Sequence, residues 1–162
     1  MKQRNMVKKI KYGLVALAGV FIFSACGTTQ TVPITGRKHS LLVSDAEVLS
    51  LSKSEYAKYM QMAKRSTDAA STAMVQRVGR RLATAVEDYL RSHGAADEVN
   101  NFDWEFNLVA DKNVNAFCMP GGKIVVYEGL LPVTQTESAL AIVLGHEIAH
   151  AVAKHSAEQM SK

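Results

Sequence analysis

The stretch LGHEIAHAVAKH, residues 144–155, sets His146 and His150 four apart with Glu147 between them, inside a run of Ala, Ile, Leu and Val. On an α-helix, His150 lies about 40° round from His146 and one turn along, so both rings can converge on one ion. Glu147 is about 100° from His146, close enough to act on something bound there without being the natural ligand. Leu144, Ile148 and Ala151 fall on the other side, which lets the pair face a cleft while the rest of the helix enters a core. His155 lies about 180° from His146 and reads as surface or packing.

A zinc ion that does chemistry takes three protein ligands and leaves one position open. Neutral imidazoles suit it, and a carboxylate beside the water it acidifies can take a proton and pass it to a leaving amine. The pattern points to amide hydrolysis, with His146 and His150 as zinc ligands and Glu147 as general base. The alternative is a pair of histidines satisfied by hydrogen bonds in a core helix, with Glu147 solvated. In a chain of this composition H-E-x-x-H arises by chance with a probability of roughly one per cent, which favours the metal.

Outward from this helix, TQTE at 134–137 offers a capping box through Glu137, so the helix is expected to open near Thr134. Before it, VNAFCM at 114–119 and KIVVYEG at 123–129 read as strands, joined as a hairpin by Pro120-Gly121-Gly122. In DWEFNLVA, residues 103–110, Trp104, Phe106, Leu108 and Ala110 alternate with Glu105, Asn107 and Val109, as a half-buried strand requires.

Further upstream, Met74, Val75, Val78, Leu82, Val86 and Tyr89 recur at helical spacing, with Gly94 placed to close the helix and the arginines Arg77, Arg81 and Arg91 on a solvated face. SDAE at 44–47 is a second capping box, opening a helix that should run to about Lys64. The order is helix, helix, strands, helix, without internal repeat. The class is α+β.

Residues 27–43, GTTQTVPITGRKHSLLV, are polar and show no sustained period; they read as a tether leading into the fold. Residues 1–25 have the parts of a secretory signal: a basic start, the apolar run GLVALAGVFIF and the small pair Ser24-Ala25. FSAC resembles the lipobox of bacterial lipoproteins, with Cys26 as the lipidated residue. Phe23 departs from the Leu-like residue usual three positions before the Cys. Cys118, in an apolar segment, reads as a small buried hydrophobe.

The formal charge is +4, but Lys2, Arg4, Lys8, Lys9 and Lys11 all lie in the leader. Beyond residue 25 there remain 14 basic against 15 acidic side chains, a balance of −1. Nothing in that balance argues for nucleic-acid binding.

NAFCMPGGKIVVYEGLL at 115–131, followed by ALAIVLGHEIAHAVAKHSAEQ at 139–159, resembles the zinc metalloendopeptidase family that includes the HtpX heat-shock proteases, the Oma-type proteases and the CAAX prenyl endopeptidases. The likeness is strongest to its bacterial lipoprotein members, which also begin with a lipobox and a VPITGRK-like tether. It implies a zincin-like fold, one zinc ion held by His146 and His150, Glu147 as base, and Asn115, Ala116 and Phe117 on an edge strand beside the cleft. It further implies polypeptide substrates, unfolded or damaged proteins of the cell envelope among them. The lipid at Cys26 would hold the protein to a bacterial membrane, with Gly27 leaning towards the outer membrane, facing the periplasm.

The family takes its third ligand from a Glu in an E-x-x-x-A-D-like motif on a later helix, and no such motif occurs here. The expected organisation is therefore a signal peptide over 1–25, a lipid-anchored tether over 26–43, and the amino-terminal part of a peptidase domain over 44–162, incomplete at its carboxyl end. A non-catalytic peptide-binding lipoprotein and an inactive fragment are the competing expectations.

Overall fold

The computed structural model describes residues 28–31, 38–41 and 44–154. The leader, Cys26 and His155 lie outside the described residues. Within the expected tether, strands β1 (Thr28–Thr31) and β2 (Lys38–Leu41) pair antiparallel as a two-stranded ribbon, which the absence of a sustained period did not foretell.

Helix α1 (Asp45–Met62) opens as its sequence requires. The Ser44 hydroxyl accepts from the Glu47 amide at 3.2 Å, and the Glu47 carboxylate accepts from the Ser44 amide at 2.9 Å. These bonds hold the Glu47 carboxyl below its ordinary range. Helix α2 (Ala69–Ser92) is capped by Asp68, which accepts from the Ser71 amide, and Gly94 follows its end with φ +76°. Its buried stripe is Val75, Val78, Gly79, Ala83 and Leu90. Tyr89, expected in that stripe, is instead exposed and stacks on His93, while Leu90 takes the buried place.

A 3-10 segment (Ala96–Asn101) leads into a three-stranded sheet of β3 (Glu105–Val109), β4 (Ala116–Met119) and β5 (Lys123–Tyr127), in the order β3-β5-β4. The expected hairpin is present: β4 and β5 are antiparallel, with Ala116 opposite Val126 and Cys118 opposite Ile124. Gly121 and Gly122 in the turn have φ of +85° and +80°, which favour glycine. By contrast β3 and β5 are parallel neighbours, Phe106 opposite Ile124. The chain leaving β3 must therefore cross the end of β5 to reach β4. It does so over Gly129, whose amide donates to the Asp111 carbonyl at 2.9 Å. A Cβ at residue 129 would lie 2.1 Å from the Lys112 carbonyl oxygen, so only glycine admits the crossing.

The sheet is covered on both faces. Phe106, Leu108, Ile124 and Val126 meet α2 and the last helix in the main core. Val109, Val125, Phe117, Met119 and Tyr127 meet Tyr56, Tyr59 and Met60 of α1. Strand β3 keeps the expected alternation, with Phe106 and Leu108 buried and Glu105 and Asn107 only partly so, although Val109 is buried as well. Its polar positions point at α1, where the Tyr56 hydroxyl donates to Glu105 at 3.0 Å and Asn107 donates to Tyr56. Lys123, 4% exposed, donates to Asp103 at 2.7 Å and Glu105 at 2.8 Å, which satisfies its charge inside this layer.

After β5, a 3-10 turn (Glu128–Leu130) and the short helix α3 (Leu131–Thr134) precede α4 (Glu137–Val152). The expected cap at Thr134 is displaced. Thr134 ends α3, Gln135 turns left-handed at φ 58°, and Thr136 caps α4 by accepting from the Ala139 amide at 3.1 Å. Glu137 becomes the first helical residue and pairs with Arg77 of α2, so that arginine is not simply solvated. Among the described residues no helix is long and apolar enough to cross a membrane.

Candidate active site

Helix α4 buries Leu140, Leu144, Ile148 and Val152, a stripe repeating every four residues. This fixes the rotation of the helix, because those four side chains have no other place in the core. His146 and His150 consequently emerge on the exposed side, with Glu147 between them half-buried. The two Nε2 atoms are 3.0 Å apart, with ring centroids 4.5 Å apart and planes at 89°.

That separation is informative. Two imidazole lone pairs facing each other at this distance repel unless a proton or a cation lies between them. Tetrahedral zinc with Zn–N bonds of about 2.0–2.1 Å needs its nitrogens about 3.3–3.4 Å apart, so an adjustment of a few tenths of an ångström seats the ion. The pair fits zinc chemically and very nearly in position. Among the described residues no third His, Cys, Asp or Glu joins them to make a metal cluster.

The edge strand β4 runs beside α4. Cys118 lies close enough to Glu147 that, after burial, the Glu147 charge is the second cause pushing its thiol up to about 12. The thiol is therefore protonated at neutral pH and is no nucleophile. Its sulfur behaves as the small apolar group expected, although the residue itself sits on an edge and is only partly buried.

The β4–β5 register decides which backbone groups of β4 are available. The Tyr127 amide donates to the Asn115 carbonyl directly opposite, at 3.1 Å. Antiparallel ladders alternate bonded and non-bonded pairs. Asn115, Phe117 and Met119 accordingly turn their amides and carbonyls towards β5, and Ala116 and Cys118 turn theirs outward.

Of the three residues expected to meet a peptide, only Ala116 offers it backbone bonds. Phe117 directs its ring the other way, against Tyr59 at 5.3 Å and Tyr127 at 6.3 Å between centroids, on the α1 face. Phe117 is scaffold by side chain and backbone alike. Cys118, which the sequence reading took as a buried hydrophobe, is the other position on β4 whose backbone groups turn outward. The available signal was the small-residue pair Ala116 and Cys118, two apart on one strand face, which lets a helix approach closely.

Comparisons with known proteins bear on the family. Residues 69–162 match the model of the family described as Peptidase family M48. The mitochondrial metalloendopeptidase OMA1 of Schizosaccharomyces pombe is 46% identical over 67 residues, covering 41% of this chain and 20% of that protein. The mitochondrial metalloendopeptidase OMA1 of Bos taurus is 28% identical over 155 residues, covering 94% of this chain and 28% of that protein. A putative beta-barrel assembly-enhancing protease of Vibrio cholerae is 42% identical over 57 residues, covering 35% of this chain and 12% of that protein. The chain thus spans between 12% and 28% of the length of these relatives. With its α+β fold, its paired histidines beside an edge strand, and a family match over more than half its length, the chain belongs to peptidase family M48.

Proposed function

We propose that the chain carries the histidine helix and edge strand of a zinc-dependent metalloendopeptidase that cleaves unfolded or damaged proteins of the bacterial cell envelope, anchored by lipid at Cys26. The observation that carries this reading is the approach of His146 Nε2 and His150 Nε2 to 3.0 Å on the exposed face of α4, next to a β4 edge that turns two amides and two carbonyls outward.

In this reading His146 and His150 hold zinc, and its third protein ligand lies outside the described residues. A zinc ion held there would supply Lewis acidity towards a scissile carbonyl and a water. Glu147 accepts that water's proton and returns it to the departing amine. Ala116 and Cys118 bind the substrate in extended form through the backbone, which favours unfolded chains over folded ones, because only an unfolded segment can add as a strand. The envelope location rests on the leader and lipobox, and the family kinship supports the peptidase chemistry.

Metal analysis with variants tests the proposal. The wild type should hold zinc, His146→Ala and His150→Ala should each lose it, and Glu147→Gln should keep it. Cleavage of a loosely folded protein such as casein should fall about 10²–10⁴-fold in Glu147→Gln, the usual worth of a positioned general base. Casein cleavage that survives both histidine substitutions would refute the assignment.

A further inference from the structure

His150 stands in the last turn of α4, which ends at Val152. Terminal turns fray because their last carbonyls have no helical partner. His146, one turn further in, is flanked by the buried Leu144 and Ile148 and needs no such help. Something must therefore keep His150 in register with His146.

The chain does this just past the helix end. Ala153 and Lys154 close the last turn with amide bonds to the carbonyls of Ala149 at 2.9 Å and Ala151 at 3.1 Å. Lys154 takes φ 56°, a left-handed position where glycine or asparagine is usual and a Cβ is disfavoured. A lysine there needs a reason, and its side chain supplies one. The ammonium, on a side chain only 13% exposed, donates to Asp45 at 2.7 Å and to Glu98 at 3.0 Å.

Asp45 is the first residue of α1 and Glu98 belongs to the 3-10 segment. Lys154 thus ties the end of α4 to two elements remote in sequence. The tie forms one wall of a small cavity, about 40 Å³, whose other walls include Val48, Phe102 and Val152.

We propose that Lys154 is a positioning residue for the metal site: by pegging the end of α4 to Asp45 and Glu98, it holds His150 in register with His146. The peg acts through the helix and does not touch the metal or the substrate. This rests on the zinc reading above, and the experiment separates the two.

The test compares the full wild-type chain with Lys154→Met and Lys154→Arg by amide hydrogen exchange and by zinc affinity, measured with zinc ions against a competing chelator. In Lys154→Met, exchange of the amides of residues 149–153 should rise while those of Leu140 and Leu144 keep their protection. Zinc affinity should fall about tenfold, the scale seen when a group that orients a ligand is removed. Lys154→Arg should recover most of both.

Unchanged exchange at 149–153, or unchanged zinc affinity despite faster exchange, overturns the proposal. Should Lys154→Met fail to fold, Asp45→Asn keeps the lysine and weakens one arm of the peg. A smaller loss of zinc affinity in that variant upholds the proposal, and none overturns it. If the wild type takes no zinc at either histidine, the metallopeptidase reading fails, and exchange alone decides the peg.

Discussion

The outer edge of β3 and the outer edge of β4 belong to the same small sheet, yet the chain treats them in opposite ways. Along β3, the segment after α1 lies down as a partial strand. The Ser66 amide donates to the Leu108 carbonyl at 2.9 Å, the Ala110 amide donates to the Lys64 carbonyl at 2.8 Å, and Arg65 bridges to Val109. Arg65 also donates to Asn107 and Ser66 to Glu128, which fastens the cover by side chains. Along β4, no described strand pairs on the outside, and the Glu147 charge reaches the Cys118 thiol.

An open edge invites other chains, and proteins ordinarily cover one that has no use. Here the edge far from the histidines is closed by the chain itself, and among the described residues the edge beside them is left without a strand partner, as the proposed peptide site requires.

Proline substitutions on β4 give the largest effects and probe the comparison residue by residue. Phe117→Pro removes an amide directed at β5 and a ring lodged between Tyr59 and Tyr127. It should destabilise the fold by roughly 3 kcal/mol or more, as read by chemical denaturation. Ala116→Pro removes an amide directed outward and leaves the ladder intact, so the midpoint of unfolding should change little while peptide cleavage falls about tenfold. Equal destabilisation by both variants would mean that the outward and inward assignments are wrong.

On the closed edge, Ser66→Pro withdraws the amide bonded to Leu108 and the hydroxyl bonded to Glu128. Stability should drop by roughly 1–3 kcal/mol, because the Leu108 carbonyl loses its partner. Light scattering should show self-association at concentrations where the wild type is unassociated. A Ser66→Pro protein with unaltered stability would show that the cover is incidental.

The smallest effect is expected from Arg77→Ala. The Arg77–Glu137 pair joins α2 to the first turn of α4, but both side chains are about half exposed. Water and salt screen such pairs, so thermal unfolding should be indistinguishable from the wild type. A clear loss would mean that α4 is located by this contact as well as by its buried stripe.

How much of this was legible in the sequence follows from which interactions are local. His146, Glu147 and His150 could be placed because helical geometry alone brings i and i+4 together. The β4–β5 hairpin could be placed because Pro120-Gly121-Gly122 leaves few other conformations.

The strand order β3-β5-β4 was not legible, because it depends on a crossing whose only local mark is Gly129, a residue that reads equally well as an ordinary turn glycine. The position of α1 was hidden for a different reason. Its buried stripe is Val48, Ser52 and Tyr56, chemically mixed because it is answered by polar groups: the Ser52 hydroxyl donates to the Pro120 carbonyl at 2.7 Å and Tyr56 donates to Glu105. A polar interface leaves no apolar period to find.

The edge comparison also shows which residues of the expected peptide strand turn their backbone outward. The sequence located the strand correctly, but the alternation of inward and outward backbone depends on register with β5, which no single strand contains. Asn115 and Phe117 fall on the side turned to β5, while Ala116 and Cys118 turn their backbone groups outward.

The most direct test of the account is amide hydrogen exchange on the full chain, with and without a peptide-like, metal-directed inhibitor. Asn115 and Phe117 face β5 already and should show little change. Ala116 and Cys118 should gain protection, because their amides become donors to the added strand. Protection appearing instead at Glu105–Asn107 on the β3 edge, or at no strand at all, would contradict the assignment of β4 as the substrate edge.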